Sequence, residues 1–292
     1  MISELKYILL SMRPKQSVKN VFVFAGLIFS HNLFDIYLLT RVTTGFCLFC
    51  LAGSSIYIFN DINDLEKDKK HPEKCKRPLA AGYLKIKIAY GASVVLGIVA
   101  LLGAVLLGTT FFFILAAYVL MNIAYTIKIK QVVILDVFCL ASGFVLRVIA
   151  GTSLADVKPS AWLIICTMTI SIFLGLGKRR HELTLVGSNA NNHREVLADY
   201  TINFLDQMIS VATACTLMSY ALYTIAGETV ARFGTKNLIF TIPFVIYGIY
   251  RYLYLIHQKQ MGGNPTSALL TDVPLFLNGL LWLGTVIFVI YF

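Results

Sequence analysis

Asn60-Asp61-Ile62-Asn63-Asp64-Leu65-Glu66-Lys67-Asp68 follows directly on Val42–Phe59, a run of 18 residues without a single charge. A helical crossing of a bilayer core takes roughly 20 mainly apolar residues. The run therefore reads as a membrane helix and the acidic stretch as its mouth. Windows of that kind recur along the chain, at about Val18–Leu39, Val42–Asn60, Ile88–Leu107, Thr109–Ile127 and Val132–Gly151, then Ala161–Gly177, Phe204–Ala226, Leu238–Ile256 and Val273–Phe292. No extramembrane stretch is long enough for a second domain. The expected fold is all-α: a polytopic membrane bundle of about nine transmembrane helices, with residues 1–292 forming a single integral-membrane domain.

Composition agrees. Hydrophobic residues make up 58% of the 292 and charged residues only 14%, where a soluble domain carries about a quarter charged. A disordered, nucleic-acid-binding or ordinary cytosolic protein is excluded. The formal net charge of +10 suggests nucleic acid in a soluble chain, but cytoplasmic loops of a membrane protein collect Lys and Arg, so no nucleic-acid partner is expected. Of the 25 Lys and Arg, twenty fall in the loops of one side, four (Arg41, Lys158, Arg232, Lys236) on the other, and Arg147 inside a helix. The positive-inside rule then places the N-terminus in the cytoplasm and, with nine crossings, the C-terminus outside. The first window lacks the look of a cleavable signal. The six Cys are dispersed, and Cys47 and Cys50 fall in an apolar run, so buried reduced thiols are expected.

Topology accounts for the cations on the cytoplasmic face but not for the acids gathered with them. At about 100° per residue, Asn60, Asp61, Asp64 and Asp68 project within roughly a 100° arc if the helix continues. Three carboxylates on one face repel one another unless they share a cation. Hard oxygen ligands at such a mouth suit Mg²⁺, which takes one or two carboxylates together with substrate phosphates. Asp61, Asp64 and Asp68, with Asn60, are the candidate metal ligands and catalytic residues; the bland alternative is a solvated acidic helix end.

The motif continues through His71-Pro72 into Lys76-Arg77-Pro78-Leu79-Ala80-Ala81-Gly82. In this form it resembles the UbiA-type prenyltransferase superfamily, and the likeness runs the whole length of the chain. One branch matches further, that of the polyprenyl-phosphate (decaprenyl-phosphate) phosphoribosyltransferases. Its pattern is similar at Arg13-Pro14-Lys15-Gln16-Ser17-Val18-Lys19-Asn20, at Tyr125 and Lys128, at Asp136-Val137 and at Ser142-Gly143-Phe144 with Arg147. Lys178-Arg179-Arg180-His181-Glu182-Leu183 and Arg194 with Leu197, Tyr200 and Thr201 complete the match.

Prenyl-diphosphate-using members of the superfamily carry a second Asp-rich motif in the second half. Here the matching helix ends in Lys178-Arg179-Arg180-His181-Glu182, with Lys178, Arg179 and Glu182 on one arc if the helix runs that far. A second metal site has become a basic one, as joining two anionic substrates requires. The resemblance thus implies transfer of 5-phosphoribosyl from 5-phosphoribosyl 1-diphosphate to a polyprenyl phosphate, with Mg²⁺ as cofactor and diphosphate released. It implies a bacterial plasma (inner) membrane, an active site facing the cytoplasm, and a product destined for cell-envelope arabinan precursors.

The substrate-binding candidates are Lys19, Asn20, Asn60, Arg77, Tyr125, Lys128, Asp136, Lys178, Arg179 and Glu182. Each has a plainer reading: topology-setting cations for Lys19, an aromatic-belt residue for Tyr125. Asp136, at the lip of a helix, suits a cation or a ribose hydroxyl. Arg147, some 20 Å into its helix by the 1.5 Å rise, needs a partner, because a charge at that depth costs roughly 2.5–3.5 kcal/mol. Gly175-x-Gly177-Lys178 lacks the rest of a P-loop, and the role of Asn264-Pro265-Thr266 to Asp272 is open. An aromatic prenyltransferase of the same fold would carry the second Asp-rich motif, and a transporter would place charges near the midplane in both halves. Membrane lipids surround the chain, and a homo-oligomer is left open because lipid-facing and subunit-facing surfaces look alike.

Overall fold

The computed structural model describes residues 2–186, 197, 199–259, 261–263 and 265–292. Arg194 and Asn264, both quoted above, lie outside them. The described residues are helical: α1 (Ile2–Ser11), a 3-10 segment (Pro14–Phe24) continuing into α2 (Ala25–Ile28), α3 (Ile36–Asn63), α4 (Leu65–Lys70), α5 (Ile86–Leu107), α6 (Thr109–Ile127), α7 (Leu135–Leu154), α8 (Ala161–Val186), α9 (Ile202–Ile225), α10 (Gly227–Phe233), α11 (Ile242–Gln258), α12 (Pro265–Thr271) and α13 (Val273–Tyr291). Eight helical stretches among the described residues are long and apolar enough to cross a membrane, and they coincide with eight of the nine windows.

The first window is the exception. Val18–Leu39 is not one α-helix: its start lies in the 3-10 segment, the chain turns after Ile28, and Ile36–Leu39 already belong to α3. The reason is turn chemistry inside an apolar window. His31 takes a positive φ of 62°, and Asp35 caps α3 by accepting the Leu38 N–H at 3.0 Å, as a short acidic side chain does at an N-cap.

The chain divides into two compact units. The first comprises residues 1–27, 35–139 and 146–158. In it the 3-10 segment runs antiparallel along α3: Ser54 Oγ donates to the Met12 carbonyl at 3.2 Å, Asn20 Nδ2 lies 3.2 Å from Cys50 Sγ, and the Phe24 and Phe46 rings are 5.6 Å apart. The segment also lies hard on α7, where a Cβ added at Gly151 would fall 2.7 Å from the Val23 carbonyl carbon. α3 packs on α5 through paired serines, Ser55 Oγ donating to Ser93 O at 2.7 Å and Ser93 Oγ to Ser55 O at 2.9 Å. Gly108 alone joins α5 to α6, at φ 129° and ψ 154°, a conformation only glycine adopts readily.

The second unit comprises residues 28–34, 140–145 and 159–292. α8 and α9 form an antiparallel pair, tied by Arg180 Nε donating to Asp206 Oδ1 at 2.5 Å. A core of Tyr220, Tyr223, Phe233, Leu238, Val286 and Ile290 joins α9, α10 and α13. At its centre the Tyr220 hydroxyl receives Trp282 Nε1–H at 2.8 Å and lies 2.7 Å from Thr241 Oγ1.

In both units the usual distribution is inverted. Leu106 and Phe288 are exposed while Asp61, Arg147 and Arg179 are buried. That pattern suits a chain whose surroundings are hydrocarbon, where apolar side chains face out and charges must find partners within. The molecule is an integral membrane protein.

Candidate functional site: the acidic and basic helix ends

α3 ends at Asn63, and Asp64, with φ −95° and ψ 7°, links it to the short α4. Asp61 and Asp68 share one cation, and Asp64 takes another. Arg77, from the Lys76–Gly82 stretch, donates to Asp61 Oδ1 at 3.0 Å and to Asp68 Oδ2 at 2.5 Å. Arg13 donates to the same Asp61 oxygen. Lys130 donates to Asp64 Oδ1 at 2.6 Å. The mutual repulsion of the three carboxylates is thus met by two guanidiniums and an ammonium. Asp61 and Asp68 are buried, Asp64 partly so. Burial pulls the Arg13 guanidinium below its ordinary pKa, and the Asp61 charge opposes that shift.

Whether these residues fit a divalent cation turns on the oxygens left over. Among the described residues, no group of three or more His, Cys, Asp or Glu converges as a ready ligand set. Yet among the described residues Asp61 and Asp64 are bonded only through Oδ1, and Asp68 only through Oδ2. Each carboxylate keeps one oxygen for another partner, and the donors are of the hard kind that Mg²⁺ prefers. The residues fit the ion in chemistry, with their cations as competitors. Asn60, one turn before Asp64, accepts the Asp64 N–H at its carbonyl at 2.9 Å.

Deeper in the first unit, Arg147 has its partners. Its Nε donates to Asn20 Oδ1 and its Nη2 to the Tyr118 hydroxyl, both at 2.7 Å, and the guanidinium lies 4.6 Å from the Tyr118 ring centroid. Asn20 is buried with both ends of its amide engaged, by Arg147 and by Cys50, so the structure places it in this network. Lys19 stands half-buried on the 3-10 segment and Tyr125 half-buried on α6, while Lys128 is exposed at the end of α6. Asp136 is buried in the first turn of α7. Just ahead of it Ile134 takes φ 67°, a strained angle for a β-branched residue.

In the second unit α8 continues past the basic cluster to Val186, so the expected arc forms. Arg179, wholly buried, donates to Glu182 Oε2, and Lys178 Nζ stands 3.8 Å from Glu182 Oε1. Two cations share one carboxylate. Cations of this kind at a helix end can take up a phosphate.

Two residues of the acidic cluster were not among the sequence candidates. Lys130 is nearly buried beside Asp64, and Arg13 reaches Asp61 from a left-handed backbone conformation, φ 54° and ψ 61°. The signal available for Arg13 was its place before Pro14 at the start of the first apolar window. For Lys130 it was only the Lys128-Ile129-Lys130 pair after α6.

Comparison with known proteins bears on this arrangement. The model of the UbiA prenyltransferase family matches residues 20–280. The decaprenyl-phosphate phosphoribosyltransferase of Mycolicibacterium smegmatis is 31% identical over 97% of this chain and 92% of its own. That of Corynebacterium glutamicum is 31% identical over 96% of this chain and 86% of its own. Among solved structures, a UbiA homologue from Archaeoglobus fulgidus bound to GPP and Mg²⁺ superposes with a TM-score of 0.75 at 16% identity, covering 98% of this chain and 100% of that one.

Proposed function

This chain belongs to the UbiA prenyltransferase family, and from that premise we propose that it transfers 5-phosphoribosyl from 5-phosphoribosyl 1-diphosphate to a polyprenyl phosphate of the decaprenyl type, releasing diphosphate. The observation that carries the proposal is the end of α8. A family member that ionises a prenyl diphosphate and attacks with a neutral acceptor has no use for extra cations there, whereas a reaction joining a diphosphate to a lipid phosphate must offset the repulsion between two anions. Lys178 and Arg179, which meet at Glu182, are cations placed where such an acceptor needs them. The names and near-complete coverage of the 31%-identical relatives support the same substrates.

In this mechanism Asp61, Asp64 and Asp68, with Asn60, would hold Mg²⁺, in competition with Arg13, Arg77 and Lys130. When bound, the ion neutralises charge on the departing diphosphate. Arg77 and Lys128 contribute further positive charge to that leaving group. Asp136 accepts from a ribose hydroxyl and Tyr125 orients the ring. Lys19, Lys178 and Arg179 hold the acceptor phosphate, and Glu182 holds the two cations of α8 in register. Positive charge develops at the ribose C1 as its bond to diphosphate breaks, and the acceptor phosphate oxygen closes on that carbon. The acceptor is already ionised near neutral pH, so the chain needs no nucleophile and no strong base. Asn20 acts one step back, fixing Arg147 within the first unit. Residues 1–292 work as one domain in a bacterial plasma membrane, with the acidic mouth on the cytoplasmic side.

The test is diphosphate release by the purified protein in detergent with Mg²⁺. One arm receives 5-phosphoribosyl 1-diphosphate with polyprenyl phosphate; the other receives a prenyl diphosphate with 4-hydroxybenzoate. Release is expected in the first arm alone, and Asp64→Ala is expected to abolish it. Release in the second arm alone would mean that the α8 cations do not serve an anionic acceptor.

A further inference from the structure

The connection from α11 to α13 has no part in the mechanism above, yet it lies against the basic end of α8. Gly262 and Gly263 rest on the face of α8 that carries Gly177 and His181, residues one turn apart. A Cβ added at Gly262 would stand 3.0 Å from the Gly177 carbonyl oxygen and 3.2 Å from His181 Cβ. One added at Gly263 would stand 2.6 Å from His181 Nε2, and its three nearest neighbours all belong to the His181 ring. Neither glycine adopts a positive φ, so the backbone angle does not require glycine at either position; the close approach does.

The diglycine is fastened on both sides. Before it, the Met261 N–H donates to the Leu255 carbonyl at 3.0 Å, tying it to α11. After it, Asp272 takes Arg251 in two hydrogen bonds, from Nε at 3.1 Å and from Nη2 at 2.9 Å, while capping α13 through the Leu275 N–H at 3.0 Å. α8 is also pressed from α11, where a Cβ at Gly177 would meet Ile256 Cδ1 at 2.8 Å. The turn that holds Lys178 and Arg179 therefore lies between two fixed contacts, at Gly177 and at His181.

We infer that Gly263 and His181 form a positioning pair for the end of α8. The Gly263 backbone seats the His181 ring, and the seated ring fixes the turn from which Lys178 and Arg179 present their charges. Neither residue touches substrate. This inference rests on the assignment of Lys178 and Arg179 as the cations that hold the acceptor phosphate. A methyl at position 263 displaces the ring and with it the turn, and misplacement of a clamp by about 1 Å costs up to roughly a hundredfold in rate.

A double-mutant cycle tests the pair. Gly263→Ala, His181→Ala and the double variant are purified in detergent, with Gly262→Ala made in both backgrounds as the contrast. KM for polyprenyl phosphate, kcat and the thermal midpoint are measured. Gly263→Ala should raise KM roughly tenfold with kcat changed less, and removing the His181 ring from the same chain should cancel most of that rise. Gly262→Ala should not be rescued in this way, because its nearest neighbour is the backbone oxygen of Gly177. A Gly263→Ala defect of equal size with and without the His181 ring overturns the pair. So does a Gly263→Ala protein of lowered thermal midpoint and unchanged KM. A wild-type protein that turns over neither substrate pair counts against the phosphoribosyl assignment alone. The same cycle is then read on thermal stabilisation by inorganic phosphate, where coupling between positions 181 and 263 upholds the pair and additivity overturns it.

Discussion

At the scale of single residues, one guanidinium bridges two buried carboxylates: Arg77 lies 3.0 Å from Asp61 and 2.5 Å from Asp68. Breaking such an arrangement from the cation side leaves uncompensated charge, at a cost of roughly 3–5 kcal/mol for a fully buried pair. Arg77 keeps a quarter of its side chain exposed, so the low end, about 3 kcal/mol, applies to Arg77→Met. If Asp61 and Asp68 also hold Mg²⁺, the ion should recover part of that loss. The thermal midpoint of Arg77→Met should therefore rise more on adding Mg²⁺ than that of wild type; an equal or smaller rise would remove Asp61 and Asp68 as shared metal ligands. This cluster was largely legible in the sequence, because Asp61, Asp64, Asp68 and Arg77 sit within one short stretch and acids at a membrane mouth have no topological excuse. Their partners were not. Lys130 meets Asp64 across 66 residues and Arg13 meets Asp61 across 48, and a cation at a cytoplasmic helix end is already explained by the positive-inside rule. Lys128 drew notice instead for its spacing to Tyr125, which says nothing about which lysine the turn after α6 directs inward.

At the scale of elements, the start of α13 depends on one carboxylate that both caps the helix and pairs with α11. The hydrogen bonds from Arg251 hold Asp272 below the usual carboxylate pKa. A depressed folded-state value stabilises the fold above the unfolded pKa, about 3.9, and that contribution disappears as pH falls through the lower folded value. Asp272→Asn keeps an N-cap acceptor but removes the charge. Its thermal midpoint should lie below that of wild type at pH 7, with the gap closing as pH drops below about 4. A gap constant across that range would separate the Arg251 pair from the stability of this end. Elements of this kind were legible where an uncharged run met a clean boundary, which is why eight windows coincide with eight helices long and apolar enough to cross. The 3-10 segment was not, because hydropathy has no term for the close approach of Val23 to Gly151 or for the turn at His31. Gly151→Ala should destabilise the protein by about 2–4 kcal/mol, as a clash against backbone that cannot rotate away; a midpoint within a degree of wild type would mean that the segment yields freely.

At the scale of the whole molecule, that same segment decides on which side of the membrane the acidic mouth lies. Eleven residues of 3-10 helix rise about 2.0 Å each, and the four of α2 about 1.5 Å each. Together they reach about 28 Å, close to the roughly 30 Å of a hydrocarbon core. Fifteen residues so wound can span what an α-helix needs about 20 to cross. The antiparallel pairing of Met12 with Ser54 and of Phe24 with Phe46 is the path of such a crossing. If the segment crosses, an N-terminus in the cytoplasm puts residues 29–35 outside and brings α3 back, so that Asp61, Asp68 and the lysines of positions 67–87 face the cytoplasm, as their charge demands. If it does not cross, the same N-terminus sends that cation-rich stretch outward, against the positive-inside rule. Single cysteines placed in a chain with its six native cysteines replaced separate the two. Asn32→Cys should react with a membrane-impermeant thiol reagent applied from outside, and Lys6→Cys, ahead of the segment, only after the membrane is opened. Labelling of Asn32→Cys and Lys6→Cys from the same side would leave eight crossings, and the acidic mouth could then face the cytoplasm only with the N-terminus outside.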